Sequence, residues 1–295
     1  MMTKNTHTPA PTPLGRIGIW SGELRFSDPA ESREAAAELE ELGFGTIWMP
    51  GGIGGDILDV VARTLNATSH ITVATGIINI WKHEPAEVGA WWRALPDGHK
   101  SRVMLGLGVS HGPAIGADYQ RPLAKMVAYL DALDAEGLPR ERRCLAALAP
   151  KMLDLAAERT AGTHPYLVTP EHAAVARQHI GAAGFVAPEQ GLILESDPDR
   201  ARAIARDAVK MYLGFPNYVN NWRRLGFSEE DVTGPSERLL DALFAWGGID
   251  RMVERVDRHF AAGADHVCVQ VVQGAYDPDR GLAREAWQEL ANAFL

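Results

Sequence analysis

The order of predicted strands and helices constrains the fold of this 295-residue chain more than any other feature. From Gly15 onward, short apolar runs rich in β-branched residues alternate with segments of helical periodicity. This alternation is typical of βα units whose strands form a parallel sheet. Eight runs are predicted to be strands: residues 17–20, 46–49, 71–78, 103–109, 144–148, 163–168, 191–194 and 266–272.

Eight parallel strands in a chain of this length predict an α/β fold of the (β/α)8 TIM-barrel type, with a doubly wound open sheet as the less favoured alternative. Residues 15–295 are predicted to form one domain, preceded by a flexible leader of residues 1–14 that is rich in Pro and Thr. Residues 214–247 are too long for a simple connection. We predict that they form a helical insertion between strand seven and helix eight, beside the barrel mouth.

Composition limits the classes of partner. The formal net charge is −9, and no local basic patch offsets it, so a nucleic-acid partner is not expected. The sequence has neither a secretory signal nor a long apolar span, which favours a cytoplasmic protein with no membrane contact. The two cysteines, Cys144 and Cys268, each lie in an apolar run and are expected to be reduced core residues.

Ligand-binding groups of a TIM barrel lie at the carboxyl ends of its strands. At one such end, Ala149 and Pro150 begin a helix whose first turn carries Lys151, and free N–H groups beside a lysine favour an anion. A solvated Lys151 is the alternative. The sequence GLGVSHG at 106–112 differs from a dinucleotide fingerprint, and GGIGG at 51–55 lacks the Gly-Lys-Ser/Thr of a P-loop. The latter is predicted to be a mobile loop over a pocket.

Candidate catalytic groups are few. His111 follows a predicted strand within a glycine-flanked turn, where an imidazole can exchange a proton, although an exposed loop histidine fits equally well. The histidines show no metal-binding spacing, so no metal is expected. Glu23 and Glu195 leave a two-carboxylate hydrolase as an alternative. Three tryptophans are candidates for the pocket wall or for core packing: Trp20, Trp48 and Trp81.

Four motifs together resemble the luciferase-like flavin and deazaflavin oxidoreductase superfamily. In order, they are ELGFGTIWMP, LNATSHITVATGIINIWKHEP, SRVMLGLGVSHG and LAALAPKMLDLAAERTAG. The third strand and the last motif are most similar to the branch that uses the deazaflavin coenzyme F420. The resemblance therefore implies an F420-dependent oxidoreductase that transfers a hydride between the coenzyme C5 carbon and a small organic substrate. An FMN-dependent monooxygenase and a non-catalytic coenzyme-binding protein are the alternatives, and a homodimer is expected.

The resemblance also implies roles for individual residues. In this family, strand three carries a bulge, often with a non-prolyl cis peptide, behind the central ring of the coenzyme. The matching residues here are Thr75, Gly76 and Ile77, with Asn79 just beyond. Residues beside the ring and the ribityl chain would be Val109, Ser110 and Gly112, with His111 supplying or removing a proton. The coenzyme phosphate would lie at Ala149, Pro150, Lys151 and Gly162.

One motif departs from the family. Many relatives carry an Asp-His pair after strand two, whereas this chain reads Met-Pro-Gly-Gly at 49–52. A sugar-phosphate dehydrogenase mechanism that depends on that histidine is therefore not expected. Proton transfer is left to His111, to a group from the insertion or to the substrate.

Overall fold

A computed structural model describes residues 13–52, 54–275, 277 and 280–295. All strands run parallel. They are β1 (Ile17–Trp20), β2 (Thr46–Gly51), β3 (Thr72–Asn79), β4 (Val103–Gly108), β5 (Arg143–Leu145), β6 (Gly162–Thr163), β7 (Phe185–Val186), β8 (Glu189–Ile193), β9 (Phe244–Trp246) and β10 (Val267–Val271).

Helices connect these strands, and seven of them begin at a proline. The helices are α1 (Glu23–Phe26), α2 (Pro29–Glu41), α3 (Ile57–Ala67), α4 (Pro85–Ala94), α5 (Asp97–Lys100), α6 (Gly112–Ile115), α7 (Pro122–Ala135), α8 (Pro150–Arg159), α9 (Pro170–Ile180), α10 (Pro198–Val209), α11 (Pro216–Arg224), α12 (Glu229–Thr233), α13 (Glu237–Leu243), α14 (Ile249–Ala261) and α15 (Arg284–Phe294). Short 3-10 turns occupy Gly116–Asp118, Arg140–Arg142 and Tyr212–Gly214.

The sheet curls until its two ends meet. Its strand order is β7-β6-β5-β4-β3-β2-β1-β10-β8-β9. The strands β7 and β8 are parts of one stretch, separated only by residues 187–188. Within it, the Ala187 N–H donates to Thr163 O on the β6 side, while Val186 O accepts from the Asp265 N–H just before β10. The stretch thus occupies the seventh of eight positions, β10 occupies the eighth, and the predicted barrel is confirmed.

All eight predicted strands are present, with ends shifted by up to five residues. Two short strands were missed. The two-residue β7 is too brief for periodicity to indicate, and β9 lies within the segment predicted to be wholly helical, where it pairs with the outer edge of β8. The predicted insertion is otherwise helical and contains α11, α12 and α13.

Apolar side chains pack on both faces of the sheet. Leu14, Trp48, Met104, Cys144 and Cys268 belong to a small cluster inside the barrel, while a larger cluster lies between the strands and the outer helices. Both cysteines are buried and free, as predicted. Leu14 is fully buried, and its carbonyl accepts a hydrogen bond from Thr46 Oγ1 at 2.5 Å. The last residue of the predicted leader therefore belongs to the folded chain, while residues 1–12 lie outside the described ranges.

The insertion has an apolar core of its own. Tyr218, Trp222, Leu239 and Phe244 are buried there together with side chains of α10. Within the described ranges, no helix combines the length and apolarity needed to cross a bilayer.

Candidate active site

The carboxyl half of β3 is irregular at the position that the resemblance assigns to the coenzyme ring. The register between β3 and β4 shifts between Thr75 and Ile78, and the peptide bond joining Gly76 to Ile77 is cis. Thr75 Oγ1 donates to Gly106 O at 2.9 Å across to β4. The predicted bulge and cis peptide are therefore present. Whether Thr75, Gly76 and Ile77 contact a coenzyme stays a prediction.

Two buried nitrogens face Gly76 from the barrel interior. A Cβ atom added there would lie 2.7 Å from Trp20 Nε1 and 3.0 Å from His164 Nε2. Within the described chain, neither nitrogen has a hydrogen-bond partner. The Nδ1–H of His164 donates to Ala187 O at 2.8 Å, and burial lowers the pKa of this histidine to about 3. The bulge therefore lies beside polar atoms that are free to bind another group.

The neighbouring strand β4 supplies a surface with little side-chain bulk. Cβ atoms at Gly106 and Gly108 would collide with Thr75 O and with the Ile77 side chain. Glycine allows the bulged strand to approach β4 this closely. The two strands thus form one compact wall.

The side chain of Asn79 connects the GGIGG loop, residues 51–55, to the end of β3. It is almost fully buried, its Nδ2 donates to Gly52 O at 2.7 Å, and its Oδ1 accepts from Trp81 N at 3.0 Å. Trp81 Nε1 in turn donates to Val109 O at 2.7 Å. Asn79 therefore positions two loops at the mouth. Ile53 of the GGIGG loop lies outside the described residues.

His111 lies beneath the insertion. Its ring stacks on Phe215 with a centroid distance of 4.1 Å and an interplanar angle of 8°, and Tyr218 tilts against it at 5.2 Å. Asn217 Nδ2 donates to Ser110 O at 3.0 Å. Burial lowers the pKa of His111 to about 4, so its imidazole is neutral at pH 7. The predicted coenzyme residues Val109, Ser110 and Gly112 therefore lie next to the segment that precedes and begins α11.

The N-terminus of α8 is open. Ala149, Pro150 and Lys151 are exposed, and no side chain caps the helix. Arg224 of α11 lies nearby, since its Nη2 is 3.4 Å from Leu148 O. The predicted anion site thus has a second cation that sequence spacing did not reveal. Gly162 is different: it is buried in β6, where a Cβ would lie 2.7 Å from Phe185 N, so close strand packing explains its glycine.

The remaining candidates from the sequence, the three tryptophans and Glu195, lie in different parts of the structure. Trp48 is fully buried, stacks on His164 with a centroid distance of 3.8 Å and donates to His266 Nε2. It is therefore a core residue, whereas Trp20 and Trp81 are half-buried near the mouth. Arg200 pairs with Glu195 and lowers the pKa of that carboxyl to about 2. Glu195 cannot serve as the protonated acid that a two-carboxylate hydrolase requires.

An aromatic cluster closes the side of the mouth opposite β3, and sequence reasoning did not assign it. Its members are Tyr166, Tyr212, Phe215, Tyr218 and Trp222. Tyr166 also contacts Trp20 at 5.4 Å, and its hydroxyl donates to Gln270 Oε1 at 2.9 Å. Tyr166 lies toward the end of the predicted strand 163–168, and that position was the signal for it. The others come from the insertion, whose docking no local pattern predicts.

Glu189 was also missed. It lies on β8, is 1% exposed, and its Oε2 accepts the Leu167 N–H at 3.1 Å. Burial raises its pKa to about 8. The predicted strand begins two residues later, at Gly191, so Glu189 lies outside it and was not considered. No group of three or more potential metal ligands occurs within the described ranges.

Comparison with known proteins agrees with the resemblance inferred from the motifs. Residues 3–137 match the family model of the luciferase-like monooxygenases. A protein of Mycobacterium tuberculosis assigned as a coenzyme F420-dependent oxidoreductase is 26% identical over 121 residues, which are 39% of this chain. The match spans about a third, 35%, of that relative. The predicted similarity to the superfamily and its F420-dependent members is confirmed for this part of the chain.

Solved structures match nearly the whole chain. The coenzyme F420-dependent tetrahydromethanopterin reductase of Methanopyrus kandleri has a TM-score of 0.74 at 17% identity, covering 94% of this chain and 97% of the reductase. The oxygenating constituent of 3,6-diketocamphane monooxygenase from Pseudomonas putida, in complex with FMN, has a TM-score of 0.64 at 12% identity, covering 94% and 97%. At these identities the similarity shows a common fold.

Proposed function

We propose that the protein is an F420-dependent oxidoreductase that transfers a hydride between the deazaflavin and a small organic substrate. The observation that carries this proposal is the bulged end of β3, where the register with β4 shifts, in the position that the resemblance assigns to the back of the coenzyme ring. The F420-dependent relative and the structurally similar reductase support the choice of coenzyme.

The residues present fit such a group. Trp20 Nε1 and His164 Nε2 are buried, face Gly76 and lack partners within the described part of the chain, so they are available to a ligand at the bulge. The uncapped N-terminus of α8, with Lys151 and Arg224 nearby, suits the phosphate of the coenzyme side chain. Trp20 and His164 would hold the ring, and the N-terminus of α8 with its two cations would hold the phosphate.

When bound, the deazaflavin supplies a two-electron hydride donor or acceptor at a carbon atom. The protein's part is to hold the substrate over that carbon and to limit access of water. The half-buried aromatic rings of Trp20, Tyr166 and Tyr212 provide an apolar wall for a flat substrate. His111 is neutral at pH 7 and is not a strong acid in this arrangement.

FMN with oxygen is the second candidate, favoured by the match to the luciferase-like monooxygenase model and by the similar FMN-bound structure. A direct comparison separates the two. Purified protein should quench or alter the fluorescence of F420 at micromolar concentration and bind FMN much more weakly. Tight FMN binding without F420 binding would contradict the proposal.

A variant tests where the coenzyme phosphate binds. Lys151→Ala should weaken F420 binding about fivefold at low salt, corresponding to ~1 kcal/mol for one exposed charge at a helix N-terminus. Lys100→Ala is the matched control, because Lys100 ends α5, just before the amino end of β4, and therefore lies at the opposite end of the barrel. Equal affinities of the two variants would exclude the α8 terminus as the phosphate site.

A further inference from the structure

Glu189 is an acid inside the barrel that the proposed function leaves without a role. Its register partner on β10 is Cys268, which belongs to the interior cluster, so Glu189 faces inward. The next residue, Gln190, faces outward, since its side chain contacts Leu243 O and His259 Nε2. Glu189 is therefore built into the inner wall, below the aromatic cluster.

The carboxyl group is only half satisfied. Oε2 accepts the Leu167 N–H, whereas Oε1 is buried and has no hydrogen-bond partner among the residues described. Leu167 has φ = +51°, a left-handed conformation that costs a branched residue about 1–2 kcal/mol. This unusual backbone directs its N–H at Glu189 and its carbonyl at Trp222 Nε1. Local structure thus holds the acid in place and leaves one oxygen available.

The surroundings of Glu189 favour its protonated form. The ionisable groups around it are Tyr166 from the loop after β6, Tyr212 from the 3-10 turn, Tyr218 from α11 and Cys268 from β10. Burial raises the pKa of each of them, and the field of the Glu189 carboxyl raises it further, so all four are neutral at pH 7. No ion pair involving Glu189 occurs within the described ranges, and an unpaired buried carboxylate is costly.

Glu189 also lies across the barrel from the β3 bulge. Strand three and the stretch containing β8 hold the third and seventh of eight positions, which face each other. Trp20 connects the two sides: its ring contacts Tyr166, and its Nε1 faces Gly76. A substrate lying between a ring at β3 and the aromatic cluster would have Glu189 on its far side.

We propose that Glu189 is the acid that donates a proton to the oxygen of a carbonyl substrate with a flat, apolar body. This inference rests on the proposed function. In the reduction, the carbonyl carbon gains a hydride from the reduced deazaflavin, which loses two electrons, and the C–O π bond breaks. The oxygen takes the Glu189 proton, leaving an alcohol and a carboxylate that recovers its proton from water. An acid that titrates near neutral pH suits this task better than the neutral His111.

The first test uses the coenzyme-free protein and infrared spectroscopy. Wild-type protein should show the C=O band of a protonated carboxyl at pH 6.5, and ¹³C-labelled glutamate should move that band to lower frequency. The band should disappear with a midpoint near pH 8. It should be absent from Glu189→Gln and retained in Glu195→Gln, the matched control on an exposed ion pair of the next segment. Absence of the band from wild-type protein would overturn the proposal. This measurement does not require that any variant folds.

The second test uses 4-(dimethylamino)cinnamaldehyde, whose absorption moves to longer wavelength when its carbonyl oxygen accepts a strong hydrogen bond or a proton. Wild-type protein and Glu195→Gln should produce this shift, and Glu189→Gln should lose it. An unchanged shift in Glu189→Gln, or none in wild-type protein, would reject Glu189 as the carbonyl acid. F420 binding, measured separately, should be equal in all three proteins. Loss of F420 binding from wild-type protein would refute the coenzyme assignment alone.

Discussion

At the scale of single residues, the β3 site was predicted from the family resemblance, which matched Gly76 to the bulge and Asn79 to the position just beyond it. The structure gives each a distinct reason. Gly76 is approached by Trp20 and His164, and Asn79 bonds two loops. Glu189 and the core position of Trp48 could not be predicted, because a side chain's facing direction depends on strand register and barrel closure.

Gly76→Ala should destabilise the protein by about 1–3 kcal/mol, because the added methyl group would lie too close to Trp20 Nε1 and His164 Nε2. Urea denaturation measures the change. Gly98→Ala in α5 is the control, since its Cβ would have nothing within 4 Å. Equal stability of Gly76→Ala and wild-type protein would show that these two rings are free to move away.

At the scale of elements, the length of the insertion predicted that it contains helices but not where those helices pack. A 34-residue connection had to fold on itself, and its helices were predicted for that reason. Its docking depends on tertiary contacts: Phe215 stacks on His111, and Asn217 bonds Ser110 O. No pattern within residues 214–247 specifies those partners, which lie about a hundred residues earlier in the chain. The strand β9 was missed for a similar reason, since only β8 gives it a pairing edge.

Phe215→Ala should raise the pKa of His111 from about 4 toward its ordinary value of 6.5, because removing the stacked ring readmits water. The titration of the His111 ring protons by NMR measures this directly. Phe26→Ala, which removes an exposed phenylalanine of α1, should leave the midpoint unchanged. A midpoint that stays near 4 in Phe215→Ala would mean that other groups keep the imidazole buried.

At the scale of the whole molecule, the barrel could be predicted because alternation of strands and helices leaves few arrangements. The sequence did not predict how many neutral imidazoles the fold encloses. Four fully buried histidines have a pKa lowered by burial to about 3 or 4: His164, His172, His259 and His266. Each hydrogen-bonds to a backbone carbonyl or to a neutral side chain that only the assembled structure brings to it. Nearby arginines lower the pKa of His172 and His259 further.

These histidines predict acid sensitivity. Below about pH 6.5 these histidines become protonated in the unfolded chain, whereas in the folded chain they stay neutral until about pH 3–4. The free energy of unfolding therefore falls as pH falls through this window. Each contributes at most about 1.4 kcal/mol per pH unit. Urea midpoints between pH 7 and 5 measure the slope. His172→Gln should reduce it and His99→Gln, on the short helix α5, should not; equal slopes in all three proteins would contradict the prediction.

Because β3 and β4 are in close contact, the residues that each strand can carry depend on the other strand. Because Thr75 O and the Ile77 side chain occupy the space where Cβ atoms of Gly106 and Gly108 would lie, the shape of one strand dictates residue choice on the other. Any attempt to redesign this wall must therefore change both strands at once. In a library of variants confined to β4, side chains introduced at Gly106 and Gly108 would collide with atoms of β3.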